Sequence, residues 1–370
     1  MSSSQLLFTS QYANYGIRWL TGGLLGLTIH LGILWWGLDR NYRRHEQAIL
    51  PTLGYGNTIT LTRGLLISLL AGFLFIPEPQ SGLAWIPSLL YLLSSLLDYL
   101  DGYVARITNH STLLGELLDM EFDGLGLLVA IAVGIYYRQL PIWYLVLGFG
   151  RQLFIFGIWV RQQFGLPVYE MMPSNNRRII AGIQMGFISV ILWPILAPPA
   201  TTIACILFSI PLAASFGRDW LVVSGQLRPG TLGYVALHRW ARAIIADWGP
   251  VLCRLLGAGI CGWLLWREWP DMHSWNGLLE QIQVPIVRGF WLSLLYSAPL
   301  FLIAFVVGYL GRVSAILLLA VALTELLTVG LQPLTVLFLL ALCWVIQFGS
   351  GRYALWKPEE LFLRSRAGEQ

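Results

Sequence analysis

Long apolar runs separated by short polar breaks dominate this chain. Runs of roughly helix-spanning length fall at 17–37, 62–77, 83–97, 119–136, 141–160, 179–197, 201–217, 249–266, 289–308, 313–330 and 332–348. A helix needs about 20 apolar residues to cross a bilayer, so the pattern predicts eleven candidate spans with soft boundaries. Pro77, Pro79, Pro198, Pro199 and the segment 268–285 punctuate the turns. The predicted fold class is an all-α polytopic membrane protein.

Composition agrees with the pattern. Of 370 residues, 56% are hydrophobic and only 11% charged, which excludes a soluble enzyme held by a single anchor. The net charge of +4 does not point to nucleic acid, because basic residues in such a chain mostly report topology. With the N-terminus outside, the first span delivers Arg40, Arg43 and Arg44 to the cytoplasm. Later cytoplasmic turns then collect Arg106, Arg161, Arg177, Arg178, Arg218, Arg228, Arg239, Arg242, Arg312, Arg352, Lys357, Arg364 and Arg366. The opposite side receives little beyond Arg138 and Arg267, so the bias places the C-terminus inside. No Lys or Arg precedes the first apolar run, so no cleavable signal peptide is expected. Cys205, Cys253, Cys261 and Cys343 sit in apolar runs without disulfide or zinc spacing and read as packing residues.

Three parts follow along the chain. Residues 1–50 hold one N-terminal transmembrane helix and a basic elbow, and residues 51–235 hold six spans. Residues 236–370 hold four more, after a linker with Pro229, Gly230 and the run His238-Arg239-Trp240-Ala241-Arg242. That run reads either as an amphipathic segment lying in the headgroup region or as a plain cytoplasmic linker.

The chemistry concentrates between residues 98 and 123. Asp98 and Asp101 are three apart, and Asp119 and Asp123 are four apart, so on two helices each pair projects from one face. An Asp at the centre of a membrane helix costs on the order of 2.5–3.5 kcal/mol. Four of them in or beside apolar sequence therefore imply a metal site or a charged substrate. Two such faces packed together make an all-oxygen cage of the kind that hard divalent cations prefer. Gly102, Ala105 and Gly115 are small enough to let a bulky ligand approach the backbone, and Arg106 is placed to meet a phosphate. The bland alternative is a set of Asp–Arg ion pairs that only hold helices together.

The pattern D-x2-D-G-x2-A-R-x8-G-x3-D-x3-D resembles the signature of the CDP-alcohol phosphatidyltransferase family at every fixed position, and the resemblance extends from residue 51 to about 225. It implies a six-helix catalytic core at 51–235. It also implies an enzyme that transfers a phosphatidyl group from CDP-diacylglycerol or a related CDP-alcohol to a small hydroxyl acceptor, releasing CMP. Two divalent metals, Mg²⁺ or Mn²⁺, are implied as cofactors. By position, Asp98, Asp101, Asp119 and Asp123 resemble the metal ligands, with Asp123 also the general base. Gly102, Ala105, Arg106, Thr112 and Gly115 resemble CDP-alcohol-binding positions. The stretch Asn57-Thr58-Ile59-Thr60-Leu61-Thr62-Arg63 resembles the family's N-x2-T-x2-R entry, which adds Asn57, Thr60 and Arg63 to the nucleotide end. Read without the resemblance, Asn57 or Thr58 is a helix N-cap and Arg63 a topology charge. With the positive-inside bias, the active site faces the cytoplasm. A homodimer is implied by the family alone, and no nucleic-acid partner is expected.

On the acceptor side, Arg151, Arg161, Arg177 and Arg178 occupy places where family members grip phosphorylated polyols such as glycerol-3-phosphate or inositol phosphate. This chain has Arg151-Gln152 where those enzymes show R-E, and Asn175-Asn176-Arg177-Arg178 where they show a glycine-lysine-rich stretch. A buried Arg151 needs an anionic partner, either substrate phosphate or a carboxylate such as Glu170. A non-phosphorylated alcohol or a lipid acceptor is the alternative within the same chemistry, and a lipid transporter or scaffold the alternative outside it. The C-terminal part loosely resembles the DoxX-like four-helix membrane family at Gly308–Ala315 and Gly349–Leu355. Glu325 is its main intramembrane acid and is expected to pair with Arg254 or face a cavity.

Overall fold

The computed structural model describes residues 3–358, apart from 45, 47, 171–174, 228–230, 232–235, 237, 238, 241, 270–274, 283, 284 and 331. Pro229, Gly230, His238, Arg228, Arg364 and Arg366 therefore lie outside the described residues. The described residues form helices and turns with an isolated β-bridge between Tyr309 and Trp356. In chain order the helices are α1 (Ser3–Gly37), α2 (Gly54–Ala71), α3 (Ile86–Ile107), α4 (Leu113–Tyr136), α5 (Leu145–Gly148), α6 (Gly150–Gln163) and α7 (Asn175–Ile191). They continue as α8 (Ala200–Val223), α9 (Gly249–Glu268), α10 (Asn276–Gln281), α11 (Pro285–Val307), α12 (Gly311–Thr328) and α13 (Pro333–Phe348).

Seven described helices are long and apolar enough to cross a membrane, and the bent pair Ile142–Gly148 with Gly150–Gln163 makes an eighth if it counts as one span. The protein is thus an all-α, multi-pass membrane protein. The eleven apolar runs all fall on helices, but not all are clean spans. The helix α4 carries Asp119, Glu121 and Asp123 within its first half. The helices α7 and α13 have 17 and 16 residues, which is short for a bilayer. The third run extends beyond its expected end, because α3 continues through Asp98 and Asp101 to Ile107.

Residues 1–151 and 185–197 form one compact unit, and residues 152–184 with 198–370 form a second. In the first unit α2 is central, packing against α1, α3 and α4. Ile67, Leu114, Leu118 and Phe122 make its fully buried core, with Ile33, Leu34, Leu61 and Val129 against them. Glycines let these helices close up. A Cβ on Gly64 would meet the Phe122 ring at 2.6 Å, and one on Gly56 would meet the Ala105 Cβ at 2.7 Å. His30 is buried here, 3.0 Å from Ser68 Oγ and edge-on to Phe122.

The second unit contains α9, α11, α12 and α13, packed around Trp291, Leu295, Phe305, Leu318 and Phe338. Glu325 is buried in it but does not pair with Arg254. Its carboxylate accepts from Arg267 Nη2 at 2.5 Å and from Trp275 Nε1 at 3.0 Å. Arg254 and Arg267 are thirteen residues apart on α9, about 20 Å along the axis, so one acid reaches only one of them.

Candidate active site

The turn at residues 108–112 connects the last turns of α3 to the first of α4 and sets the two aspartate pairs against each other. Thr112 caps α4, its side chain accepting from Gly115 N at 3.1 Å. The same hydroxyl accepts from Asn57 Nδ2 at 3.2 Å, which ties α2 to the start of α4. A Cβ on Gly115 would lie 2.6 Å from Asn57 Oδ1, so only glycine allows this approach. Neither Asn57 nor Thr58 caps a helix, because α2 begins at Gly54 and Thr58 Oγ1 bonds back to Gly54 O.

Arg63 stands at the centre of the four aspartates and is only 2% exposed. Its Nη1 donates to Asp101 at 2.6 Å and to Asp119 at 2.9 Å. Its Nη2 lies 2.7 Å from Asp98 and makes a very short contact with Asp123. Thr60 Oγ1 donates to Asp101 Oδ2 at 2.9 Å, and Gly102 N to Asp101 Oδ1 at 2.6 Å. Asp101 is therefore held from three sides and buried. The other carboxylates are more open, with side chains 22%, 49% and 33% exposed for Asp98, Asp119 and Asp123.

Those three open residues each bring a carboxylate oxygen within 4.8 Å of the others, a spacing that could hold a metal ion. The donor set suits a hard divalent cation, being all oxygen and anionic. The charge also suits it, since one guanidinium offsets only one of four carboxylates. Asp101 lies outside this group, bound to Arg63 and Thr60 instead.

A recess beside the cluster is lined by Arg63, Tyr91, Ser94, Ser95, Asp123 and Met185. Tyr91 and Ser94 were not singled out in the sequence, yet Tyr91, Ser94, Asp98, Asp101 and Ala105 follow one another at spacings of three and four. That stripe is the signal that could have found them. Arg106 is exposed and forms no ion pair among the described residues. Ala105 lies in contact range of Gly56. Gly56→Val would drive a side chain into Ala105 and the Asp101 carbonyl, 3.1 Å from the Cβ position. Overpacking of this kind typically costs about 1–3 kcal/mol. A lowered melting temperature with a larger loss of turnover is expected, and an unchanged melting temperature would show that α2 and α3 do not close here.

The basic residues on the acceptor side do not form one described cluster. Arg151 is half-exposed and pairs with Glu121 at 3.3 Å rather than with Glu170. Glu121, one residue past Met120 and two before Asp123, was not anticipated. Arg161 belongs to the second unit and donates to the carbonyls of Pro167 and Ser224. The side chains of Arg177 and Arg178 lie outside the described residues.

Residues 54–216, a little under half of the chain, match the family model described as CDP-alcohol phosphatidyltransferase. No curated protein and no solved structure matches the chain.

Proposed function

We propose that this protein is a metal-dependent membrane enzyme of phospholipid synthesis, a reading supported by the match of residues 54–216 to the CDP-alcohol phosphatidyltransferase family model. It would transfer the phosphatidyl group of CDP-diacylglycerol, or a related CDP-alcohol, to an acceptor hydroxyl. The observation that carries this reading is the convergence of Asp98, Asp119 and Asp123 within 4.8 Å, inside the segment that matches the family. In the proposed catalytic part, residues 51–235, the acceptor oxygen forms a bond to the lipid-bearing phosphorus. The bond from that phosphorus to CMP breaks, and the acceptor proton passes to Asp123.

Asp98, Asp119 and Asp123 would hold the divalent cations, Mg²⁺ or Mn²⁺, with Asp101 completing the set. Bound there, such cations would offset pyrophosphate charge and stabilise the CMP leaving group. Arg63 and Thr60 keep Asp101 and its neighbours in place. Asn57, Thr112 and Gly115 form the small-residue end next to the cluster, which suits a nucleotide. The favoured acceptor is a phosphorylated polyol, whose phosphate would meet Arg151 in exchange for Glu121. The positive-inside bias supports a site facing the cytoplasm, an outside N-terminus and an inside C-terminus.

The acceptor is tested by incubating the purified protein with CDP-diacylglycerol and Mn²⁺ and supplying candidates one at a time. Glycerol-3-phosphate, inositol phosphate, inositol, serine and phosphatidylglycerol cover the classes. New lipid from one of the phosphorylated polyols, weakened several-fold in KM by Arg151→Gln, is the expected result. Product from serine or phosphatidylglycerol alone would overturn the acceptor assignment and leave the transfer chemistry standing.

A further inference from the structure

The loop after α13 folds back across the start of α9 and the turn between α11 and α12. Arg352 N donates to Asp247 O at 3.0 Å, Leu355 N to Val307 O at 3.2 Å, and Leu310 N to Trp356 O at 3.0 Å. Arg254 of α9 lies beneath this strap and is 3% exposed. Its Nη2 donates to Tyr353 O at 3.2 Å. Its Nε and Nη1 are buried with no partner, and no carboxylate among the described residues pairs with it. Gly308, at φ +74°, leaves the room that Nη1 occupies, since a Cβ there would collide with it and with Ala354.

A guanidinium withdrawn from water with unused N–H donors is strongly unfavourable unless an anion meets it. Arginine offers a planar fork that suits a phosphate, and the fork here is fixed by packing rather than free to swing. The surroundings name the class of anion. Arg352 lies within cation–π range of Trp248 and Tyr353, and Lys357 Nζ donates to Gly351 O on the same strap. Trp248, Tyr353 and Trp356 are large, exposed rings beside these cations. Exposed Trp and Tyr with basic residues mark headgroup depth in membrane proteins.

We propose that this end of the C-terminal bundle binds a phosphate oxyanion, carried by a lipid headgroup or by free phosphate, with Arg254 as its fixed donor. The inference does not depend on the transferase reading. It gives residues 236–370 a ligand class that neither the aspartate motif nor the family match provides.

The test uses the full-length protein in neutral detergent, as wild type, Arg254→Gln and Arg254→Lys. Native mass spectrometry and thermal shift are recorded against phosphatidylglycerol, phosphatidylcholine and inorganic phosphate. Saturable stabilisation of the wild type, weakened about tenfold or more in Arg254→Gln, is expected. Dependence on Arg254 in the lipid arms alone identifies a headgroup, and dependence in the inorganic arm identifies free phosphate. The lysine variant keeps the charge and loses the fork, so several-fold weaker binding is expected of it even where the glutamine variant fails to fold. Equal affinity in the wild type and every variant that folds, or no saturable effect of any ligand, overturns the assignment.

Discussion

Replacing Arg63 with alanine is expected to lower the stability of the metal-free protein by about 3–5 kcal/mol, the usual effect of removing one partner of a buried ionic network. This guanidinium touches Asp98, Asp101, Asp119 and Asp123 at once and is almost fully buried. Without it four carboxylates face one another across two helices with nothing to offset their charge. Thermal unfolding in chelator measures the loss. Adding Mn²⁺ is expected to return part of it, and to raise the variant's melting temperature more than the wild type's, because a divalent cation and the guanidinium satisfy the same oxygens. Arg63→Lys keeps one charge but cannot serve both oxygen pairs with a planar fork, so an intermediate loss is expected. Identical melting of wild type and Arg63→Ala in chelator would show that the network contributes nothing to the fold.

Asp123→Asn is expected to leave the fold intact and to reduce CMP release by about 10²–10⁴-fold, the range for loss of a positioned general base. The substitution changes one oxygen to an amide and keeps the side-chain volume. It removes the proposed proton acceptor, where Asp123 borders the recess shared with Tyr91 and Ser94. Steady-state CMP release, measured over a range of donor and acceptor concentrations up to saturation, checks it. A loss confined to KM, with turnover unchanged, would assign Asp123 to binding and remove it from proton transfer.

The aspartate cluster was legible because spacings of three and four survive translation into helix faces, and because four acids in apolar sequence are too costly to carry without a charged ligand to meet them. Arg63 was expected at the nucleotide end, and its place as the hub of the aspartate cluster was not legible. It lies 35 residues before Asp98 in the chain, and only the packing of α2 between α3 and α4 brings it there. The partner of Glu325 was not legible for a related reason. Two arginines share α9, and sequence does not say which end of that helix meets α12. The pairing of Arg151 with Glu121 was hidden behind the aspartates, since an acid between two motif residues reads as part of the motif. Span counting is least sharp where acidic residues and an apolar run share a helix. In α4 the acids that make the site also dilute the apolar signal.

The most direct measurement of the central claim is CMP release from CDP-diacylglycerol by the purified protein, stripped with chelator and then titrated with Mn²⁺ or Mg²⁺ in the presence of the acceptor panel. Release that is absent after stripping, returns with the cation, and stays absent in Asp123→Asn is the predicted result. Release that continues undiminished in chelator, or none with any acceptor at any cation concentration, would contradict it.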